Sequence, residues 1–399
     1  MYHDGRSFLA RIKRVRMEEG MKFLHISDLH LGKRLNNYSM LEDQKYILQQ
    51  ILQIAEEEKA DAVLIAGDVY DKSVPSAEAV TLFDDFLVRM AKREISVFAI
   101  SGNHDSPERI AFASRLIAHS GVYFSPVYQG KVEPVVLTDD YGEIGFYLLP
   151  FIKPVHVRHF FPDENIETYT DALRCVISHM NIDKKRRNII LAHQFVTGAA
   201  KSGSEEMTVG GLDEVDVAVF RDFDYVALGH IHASQKVLDE NIRYSGTPLK
   251  YSFSELGHEK SVTIAELKEK GQLLIERVPL TPFRDMLEYR GNYCELMNPE
   301  IYSGYDTKAY ARVILTDEKE VPNAFQNLRT VYPNIMQMEY DNTRTRGKKG
   351  ECHPGMAEEL QPLELFSEFY EQMNHQPLEQ KQKKYLSEKI EKIWNGGRE

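Results

Sequence analysis

Five polar clusters in this sequence combine residue types that bind divalent metal ions. They offer imidazole, carboxylate and amide groups, and they contain no cysteine. This donor set suits Mn, Fe or Zn better than a structural cysteine-type zinc site, and Mn is our first choice. The clusters are Asp28-Leu29-His30, Gly67-Asp68-Val69-Tyr70-Asp71, Gly102-Asn103-His104-Asp105, His193 and Gly229-His230-Ile231-His232.

Each cluster follows a short apolar run that is typical of a buried strand. Because ligands in open α/β sheets bind at the carboxyl ends of strands, clusters far apart in sequence can converge on one centre. Residues two apart in an extended segment point to the same side, so Asp28 with His30, and His230 with His232, are predicted to form two ligand pairs. Glycine in three of the clusters permits tight turns or a close approach to a ligand. The runs are residues 23–26, 62–66, 97–100, 189–192 and 225–228.

Each cluster by itself has a simpler interpretation. Asp-x-His and Gly-Asp are common in turns, Gly-Asn-His-Asp could be a turn with capping side chains, and His193 alone could be structural. Their joint occurrence at five predicted strand ends favours a dinuclear metal centre. We interpret the other nine histidines as structural or surface residues. The predicted ligands are Asp28, His30, Asp68, Asn103, His193, His230 and His232.

The pattern around the clusters predicts a layered α/β domain, in which apolar runs alternate with amphipathic helices up to about residue 246. Helical spacing predicts helices over 40–58 and 79–90 and near 173–180. A serine followed by proline predicts a further helix that starts at Ser106-Pro107. The Gly/Ser-rich residues 198–211 are predicted to form a long functional loop.

A smaller unit follows from residue 282, with strands predicted over 310–315 and 335–340 around a helix near 324–331. The predicted divisions of the chain are an extension (1–20), a large catalytic domain (21–281), a capping domain (282–343), a linker (344–355) and a helical tail (356–399). One face of the tail could dock a partner helix or simply form core. That face consists of Leu365, Phe366, Phe369, Tyr370 and Met373.

Composition and charge limit the class of protein. A chain of 399 residues exceeds what one core usually fills, and 42% hydrophobic with 28% charged residues is typical of a folded globular protein. The net charge of -12 argues mildly against a protein that grips nucleic acid alone. Three separated cysteines, no membrane-spanning run and no signal-peptide pattern predict a cytoplasmic protein without a membrane partner.

The first twenty residues precede the first predicted strand. We expect translation to start at Met21, because residues 17–21 could be encoded by a purine-rich ribosome-binding site. The alternative is a genuine basic arm. Amino-terminal sequencing of the native protein distinguishes the two. The basic residues of the arm are Arg11, Lys13, Arg14 and Arg16.

Together the clusters resemble the complete motif series of the calcineurin-like metallophosphoesterases. Longer strings, within about residues 21–340, are similar to the SbcD family of bacterial nuclease subunits. The resemblance implies a layered β-sandwich flanked by helices, a small α+β capping domain that helps to place DNA, and a helical tail that binds a partner ATPase. The strings are SDLHLGKRL, AGDVYD, SGNHDSPER, LAHQ, VGGLDEVD, VALGHIH and YSGTPLKYSFSE.

The resemblance also implies how the ligands divide between two divalent ions. Two ions about 3.5–4 Å apart would activate a bridging water as the nucleophile and stabilise the attacking and leaving oxygens at phosphorus. Asp68 would bridge the two ions. One ion would be bound by Asp28, His30, Asp68 and His232, and the other by Asp68, Asn103, His193 and His230.

Three further residues receive roles from the same resemblance. His104 matches the family's non-ligand histidine, which stabilises the transition state or protonates the leaving oxygen, and Asp105 is its candidate orienting partner. Asp71 either orients a ligand or caps the next helix.

Position in the chain selects candidate substrate contacts. Lys33, Arg34, Asn36 and Asn37 directly follow the first cluster. Two other basic groups are candidates, although basic surface loops are usually only solvated, which we favour for residues 184–187. The second group is Arg344, Arg346, Lys348 and Lys349.

The resemblance implies 3'-to-5' cutting of duplex DNA ends and endonuclease cutting of hairpins and single strands, in DNA repair, recombination and replication. The implied partners are DNA, an SMC-like ATPase of the SbcC type and a second copy of this chain within a heterotetramer. Such an ATPase would make most backbone contacts to DNA, which answers the objection from charge.

Two alternatives remain open. A small-molecule phosphodiesterase or nucleotidase would use the same centre, since the fold alone does not fix the substrate. Such enzymes often lack VGGLDEVD and SGTPLKYSFSE, which favours the nuclease. A non-catalytic scaffold is the other alternative, and the intact ligand set argues against it.

Overall fold

The computed structural model describes residues 20–200, 214–346, 363, 366–367, 370–371 and 376–395. The predictions for residues 1–19, most of the loop at 198–211, the rest of the linker beyond 346 and three residues of the apolar tail face therefore lie outside the described residues. The chain divides into two compact units, Met1–Asp285 and Met286–Glu399. The predicted domain bounds remain predictions.

Two six-stranded sheets build the first unit. The spatial order of the first sheet is Leu273–Pro279 (β16), Ser261–Leu267 (β15), Met21–Ile26 (β1), Ala62–Ala66 (β4), Ser96–Ile100 (β5) and Val122–Phe124 (β6). In this sheet β1, β4, β5 and β6 run parallel. The pairings of β15 with β1 and with β16 are antiparallel.

The second sheet is parallel at its centre, where β8, β9, β12 and β14 lie side by side, and antiparallel at both edges. Its spatial order is Gln235–Val237 (β13), Asp239–Tyr244 (β14), Tyr225–Gly229 (β12), Arg187–His193 (β9), Gly142–Leu148 (β8) and Val135–Asp139 (β7). Two short pairs lie outside these sheets, Arg34–Leu35 (β2) with Tyr38–Ser39 (β3), and Phe195–Val196 (β10) with Glu214–Val215 (β11).

The two sheets face each other across one apolar core. Because side chains alternate along a strand, one face of each sheet supplies this core and the other meets helices. Phe98 of β5 stacks on Phe146 of β8 with ring centroids 4.1 Å apart, and Phe23 of β1 meets Tyr225 of β12 at 5.0 Å. The predicted β-sandwich flanked by helices is confirmed.

The helices follow the predicted amphipathic pattern. α1 packs against α2, α2 contacts β5, and α6 joins an apolar cluster on the outer face of the second sheet. Ser106 caps α3 as predicted, accepting from the backbone N–H of Arg109, but α3 is only four residues long. The helices of this unit are Leu41–Glu57 (α1), Ala77–Lys92 (α2), Pro107–Ile110 (α3), Ser114–Ile117 (α4), Pro154–Arg158 (α5) and Tyr169–Ser178 (α6). Short 3-10 helices lie at Ala118–Ser120, Val217–Phe220 and Phe253–Glu255.

The second unit has a three-stranded parallel sheet of Met286–Gly291 (β17), Tyr310–Leu315 (β18) and Ile335–Tyr340 (β19). The sequence pattern identified the last two strands and missed the first. Helices in both crossovers cover an apolar core. The first residues of the predicted linker lie in a helical turn, Thr343–Arg346, and the linker bounds remain a prediction. The helices are Tyr293–Leu296 (α7), Pro299–Tyr302 (α8), Ala324–Leu328 (α9), Thr343–Arg346 (α10) and Gln380–Asn395 (α11).

No helix within the described ranges is both long and apolar enough to cross a membrane. Cys175 and Cys294 are both free thiols.

Candidate metal centre

The five polar clusters lie at or directly after the carboxyl ends of β1, β4, β5, β9 and β12. Backbone hydrogen bonds join the first two loops, from the N–H of Asp28 to the carbonyl of Gly67 (3.0 Å) and from the N–H of His30 to the carbonyl of Asp68 (3.0 Å). The predicted convergence is therefore produced by strand ends that meet at one edge of the sandwich.

The prediction that the ligand pairs lie in extended segments was wrong for the first pair. Asp28 and His30 are not in an extended segment, since their φ angles are 52° and 45°, and Asp68 (49°) and His230 (102°) are also left-handed. L-residues other than glycine rarely adopt this region, and residues held there concentrate at functional sites. Tertiary hydrogen bonds, not the two-residue period of a strand, thus direct these side chains.

All seven predicted ligand side chains come together here. Six side chains form three overlapping groups, and within each group the donor atoms lie within 4.8 Å of one another. Asn103 joins them through Oδ1, which lies 3.0 Å from Nε2 of His193 and 3.1 Å from Nδ1 of His230. The three groups are Asp28 with His30 and His232, His30 with Asp68 and His104, and Asp28 with Asp68 and His193.

The electrostatics of these groups fit a cation. Burial raises the pKa of Asp28 and lowers the pKa of His30. Burial alone would raise the pKa of Asp68, but neighbouring histidines, His193 foremost, hold it well below its usual range. Both ring nitrogens of His30 are buried, with no hydrogen-bond partner within the described part of the chain. Buried polar atoms are normally paired, so the orphaned nitrogens of His30 and the ionised carboxylate of Asp68 suit divalent ions.

Close backbone packing explains two of the glycines. A Cβ built on Gly102 would lie 2.1 Å from Oδ1 of Asp68, and one on Gly229 would lie 1.8 Å from the carbonyl oxygen of Ala66. The loops can meet only because these positions lack side chains.

His104 stands beside the centre, with Nε2 3.9 Å from Oδ2 of Asp68 and Nδ1 3.1 Å from the main-chain carbonyl of Asp71. The Asp105 carboxylate instead accepts backbone N–H groups from Val69 (3.0 Å), Tyr70 (2.9 Å) and Gly102 (2.9 Å). Asp105 thus braces two of the loops, and its predicted role in orienting His104 stays a prediction. The carbonyl of Asp71 is one hydrogen-bond acceptor of the His104 ring.

Asp71 does not cap the next helix, because Ser76 fills that position and accepts from the N–H of Ala79. Its carboxylate lies 3.8 Å from Nδ1 of His30 and pairs with Nζ of Lys33 at 2.6 Å. Of the two predicted roles, the geometry favours support of the centre.

The four candidate substrate contacts occupy a hairpin of β2 and β3. Asn36 and Asn37 have φ angles of 44° and 71°, the left-handed pair that a tight two-residue turn requires. Arg34 is exposed and donates to the carbonyl of Asn37 at 2.6 Å. Lys33 is half-buried in its ion pair with Asp71, so it belongs to the wall of the centre.

The other basic groups are largely engaged in ion pairs. Arg187 is buried against Asp139, and Lys184 pairs with Asp222, as expected for a structural surface. Arg344 pairs with Glu320 and Arg346 with Asp341. Lys348 and Lys349 lie outside the described residues.

Sequence reasoning missed the residues that brace the His30 loop. Buried Gln44 accepts from the N–H of Gly32 (2.9 Å) and donates to the carbonyl of His30 (2.7 Å), and the Tyr251 hydroxyl donates to the carbonyl of Leu29 (2.6 Å). A polar residue on the apolar face of α1 was the available signal for Gln44. Tyr251 lies in the string YSGTPLKYSFSE, which carried no role.

A second missed group surrounds His232. Glu255 lies 3.1 Å from Nδ1 of this ring and pairs with the buried Lys260. It too comes from YSGTPLKYSFSE.

Comparison with known proteins agrees with this architecture. Residues 21–234 match the family model described as calcineurin-like phosphoesterase, and residues 282–374 match the type 5 capsule protein repressor C-terminal domain. A dimetal phosphatase structure from Danio rerio aligns with 66% of this chain and 99% of its own at 13% identity and a TM-score of 0.39, too weak a likeness to support an argument.

Two curated relatives are much closer in sequence. The SbcD subunit of the nuclease SbcCD from Staphylococcus epidermidis is 36% identical over 80% of this chain and 85% of its own length. The protein of the same name from Staphylococcus saprophyticus is 34% identical over 80% of this chain and 84% of its own. The chain therefore belongs to the calcineurin-like phosphoesterases and, among them, to the SbcD family of nuclease subunits.

Proposed function

We propose that this chain is the nuclease subunit of an SbcCD-type complex and hydrolyses DNA phosphodiesters at the centre described above. The observation that carries the proposal is the convergence of seven metal-binding side chains with His104 beside them. Family membership supports the reaction class. We further propose 3'-to-5' exonuclease action on duplex ends and endonuclease action on hairpins and single strands, in DNA repair, recombination and replication.

We assign the ligand roles as the resemblance implied, with Asp68 shared between two ions. The position of its carboxylate supports this, since Oδ2 lies 3.8 Å from Nε2 of His30 and 3.3 Å from Nε2 of His193, one ligand of each proposed ion. We propose Mn2+ as the metal, because the donors are imidazole, carboxylate and amide without thiolate. When bound, two such ions supply an activated water and neutralise charge on the phosphate.

His104 is the proposed catalytic residue of the protein itself. The Asp71 carbonyl accepts the hydrogen on Nδ1, which leaves Nε2, the nitrogen on the Asp68 side, as the atom that takes up and releases a proton. That proton would pass to the leaving sugar oxygen. Asp71 and Asp105 act by position, the first on the ring and the second on the loops.

Substrate preference comes from outside the centre. We propose that Arg34, Asn36 and Asn37 contact the DNA backbone, supported by their exposure on a hairpin directly after the metal loop. Residues 282–343 are the proposed DNA-placing domain, and the tail from 356 the proposed binding site for an SbcC-type ATPase. An acidic subunit can leave most phosphate contacts to that partner.

We propose a homodimer within the heterotetramer. Phe112 and Leu116, which follow the His104 loop, are 80% and 77% exposed. Large apolar side chains exposed together often mark an interface. We place the complex in the cytoplasm, where free cysteines persist.

The test is an Mn-dependent assay on linear duplex and hairpin DNA, with and without the ATPase and ATP. Wild type should cut both substrates, and His104→Ala should lose at least about 100-fold in kcat, the usual scale for a general acid. A mononucleotide phosphatase assay runs in parallel. Equal DNA cleavage by the two proteins would remove His104 from catalysis, and hydrolysis of mononucleotides alone would favour the small-molecule enzyme.

A further inference from the structure

One ligand ring, that of His232, is held by a buried ion pair. Its Nδ1 lies 3.1 Å from Oε1 of Glu255, and Oε2 of Glu255 lies 2.5 Å from Nζ of Lys260. Glu255 is fully buried and Lys260 is 8% exposed. A carboxylate at such depth must interact with groups that compensate its lost hydration. Here one oxygen contacts the imidazole and the other the ammonium group.

The same pair also fixes the main chain of His232. Lys260 donates to the His232 carbonyl at 3.1 Å and to the Thr247 hydroxyl at 2.6 Å, and the N–H of Thr247 donates to that carbonyl at 3.2 Å. Lys260 directly precedes β15, while Glu255 ends a 3-10 helix. The ring of His232 and its backbone are thus anchored by Glu255 and Lys260, two residues of the segment that leads into β15.

The ligand ring of His193 has a neutral Nδ1 partner instead. Nδ1 of His193 lies 2.8 Å from the carbonyl of Ala66, a neutral acceptor. A carboxylate holds the hydrogen on Nδ1 more strongly and makes Nε2 a better donor to a metal ion. Lys260 balances the added charge, so the site gains this effect without a further net negative charge.

We propose that Glu255, itself held by Lys260, is a positioning residue that sets the ring of His232 so that Nε2 joins Asp28 and His30 at one metal ion. This inference rests on the proposed two-metal function and adds to it the residues that determine the affinity of one of the two sites. Neither residue touches the reacting atoms.

The test compares two double variants, because removing one charge alone would strand the other in the interior. Glu255→Met with Lys260→Met removes both charges at similar volume, an exchange that buried ion pairs often tolerate. Glu255→Gln with Lys260→Met restores a neutral acceptor near Nδ1. Mn binding is measured on the full chain by equilibrium dialysis, without DNA, beside thermal unfolding.

The methionine pair should bind one Mn ion with normal affinity and the other about 10–100-fold more weakly, the usual effect of losing such a partner. The glutamine variant should recover most of that loss. At saturating Mn the KM for duplex DNA should stay at the wild-type value. Normal affinity for both ions in the methionine pair, or equal weakening in the two variants, would overturn the proposal.

An ion pair with a buried arginine, at the opposite end of β9 from His193, provides the control. Arg187 at the start of β9 pairs with Asp139, with NH1 to Oδ2 at 2.9 Å. Arg187→Met with Asp139→Asn should lower the melting temperature yet leave both Mn affinities unchanged. Failure of wild type to bind two Mn ions would instead count against the proposed function, which separates the two conclusions.

Discussion

Nε2 of His193 lies 3.3 Å from Oδ2 of Asp68, and both side chains are buried. Burial by itself would lower the pKa of His193, but the carboxylates of Asp68 and Asp28 raise it to about 9. In the metal-free protein this ring is therefore protonated on both nitrogens, and positively charged, at neutral pH. A metal ion must displace one of these protons, because only the neutral ring is a ligand.

Mn affinity should therefore rise with pH until about pH 9, and binding at neutral pH should release a proton. Calorimetric titration in buffers of different ionisation enthalpy measures both. The stability of the metal-free protein should change in the opposite direction. The pKa of His193 is raised from 6.5 to about 9 in the folded protein, so the His193–Asp68 ion pair contributes fully to stability below pH 6.5. This contribution is lost as the pH rises towards 9. A flat affinity across this range would contradict the prediction.

Gly102→Ala should damage the centre although it adds one methyl group. The new Cβ would lie 2.1 Å from Oδ1 and 2.4 Å from the backbone nitrogen of Asp68, so the two loops must separate. Overpacking of this kind costs about 1–3 kcal/mol or more, and Mn binding should weaken with it.

Gly257→Ala is the matched control, because its added Cβ would meet nothing within 4 Å. Its melting temperature and Mn binding should equal those of wild type. If the two alanine variants behave alike, the close approach at Gly102 is not what the site requires.

Gln44→Leu should loosen the His30 loop. The change leaves the N–H of Gly32 and the carbonyl of His30 without their side-chain partner, at a cost of about 1–3 kcal/mol. We expect lower thermal stability and weaker Mn binding. Gln53→Leu on the same helix is the control, since that side chain is exposed and donates to the carboxylate of the exposed Glu57 at 2.7 Å. Unchanged Mn affinity in Gln44→Leu would show that the His30 loop keeps its conformation without the hydrogen bonds of Gln44.

The sequence allowed the strand ends and the residues that converge there to be predicted. Short buried strands are apolar along their whole length, so β4 and β5 stand out from the loops that follow. The edge strand β7 alternates weakly and was missed, as were β15 and β16. β7 and β16 pair with their neighbours in the chain, β8 and β15, and lack a continuous buried apolar run. β15 also pairs with β1, a partner distant in sequence that a local pattern does not contain.

The geometry inside the centre could not be predicted in the same way. The left-handed backbone of Asp28 and His30 follows from hydrogen bonds to the loop after β4, about forty residues along the chain. Glu255 reaches His232 only because the 3-10 helix and β15 return to the same edge. Such braces carry no motif of their own, although Tyr251 and Glu255 lie within a string that the resemblance singled out without a role.

Asp105→Asn should separate bracing from catalysis. The carboxylate accepts three backbone N–H groups, and an amide can replace only one of its oxygens. We expect a loss of about 2–3 kcal/mol in unfolding free energy and weaker Mn binding. His104→Ala should show the reverse, with normal Mn binding and low kcat. Denaturant unfolding and equilibrium dialysis compare the two variants. Normal Mn binding in Asp105→Asn would argue against the bracing role of Asp105 and for its predicted role beside His104 in catalysis.

Lys33→Ala and Arg34→Ala should differ although the residues are neighbours. Lys33 holds the Asp71 carboxylate at 2.6 Å beside His30, so its loss should lower cleavage of DNA and of a small phosphodiester alike. Arg34 is exposed on the hairpin, and its loss should raise the KM for DNA alone. If Arg34 contacts one phosphate, the slope of log affinity against log salt should fall by about 0.9. The salt dependence of DNA binding and bis(p-nitrophenyl) phosphate kinetics measure the two effects. Equal effects of Arg34→Ala on both substrates would place Arg34 with the metal centre instead of the DNA path.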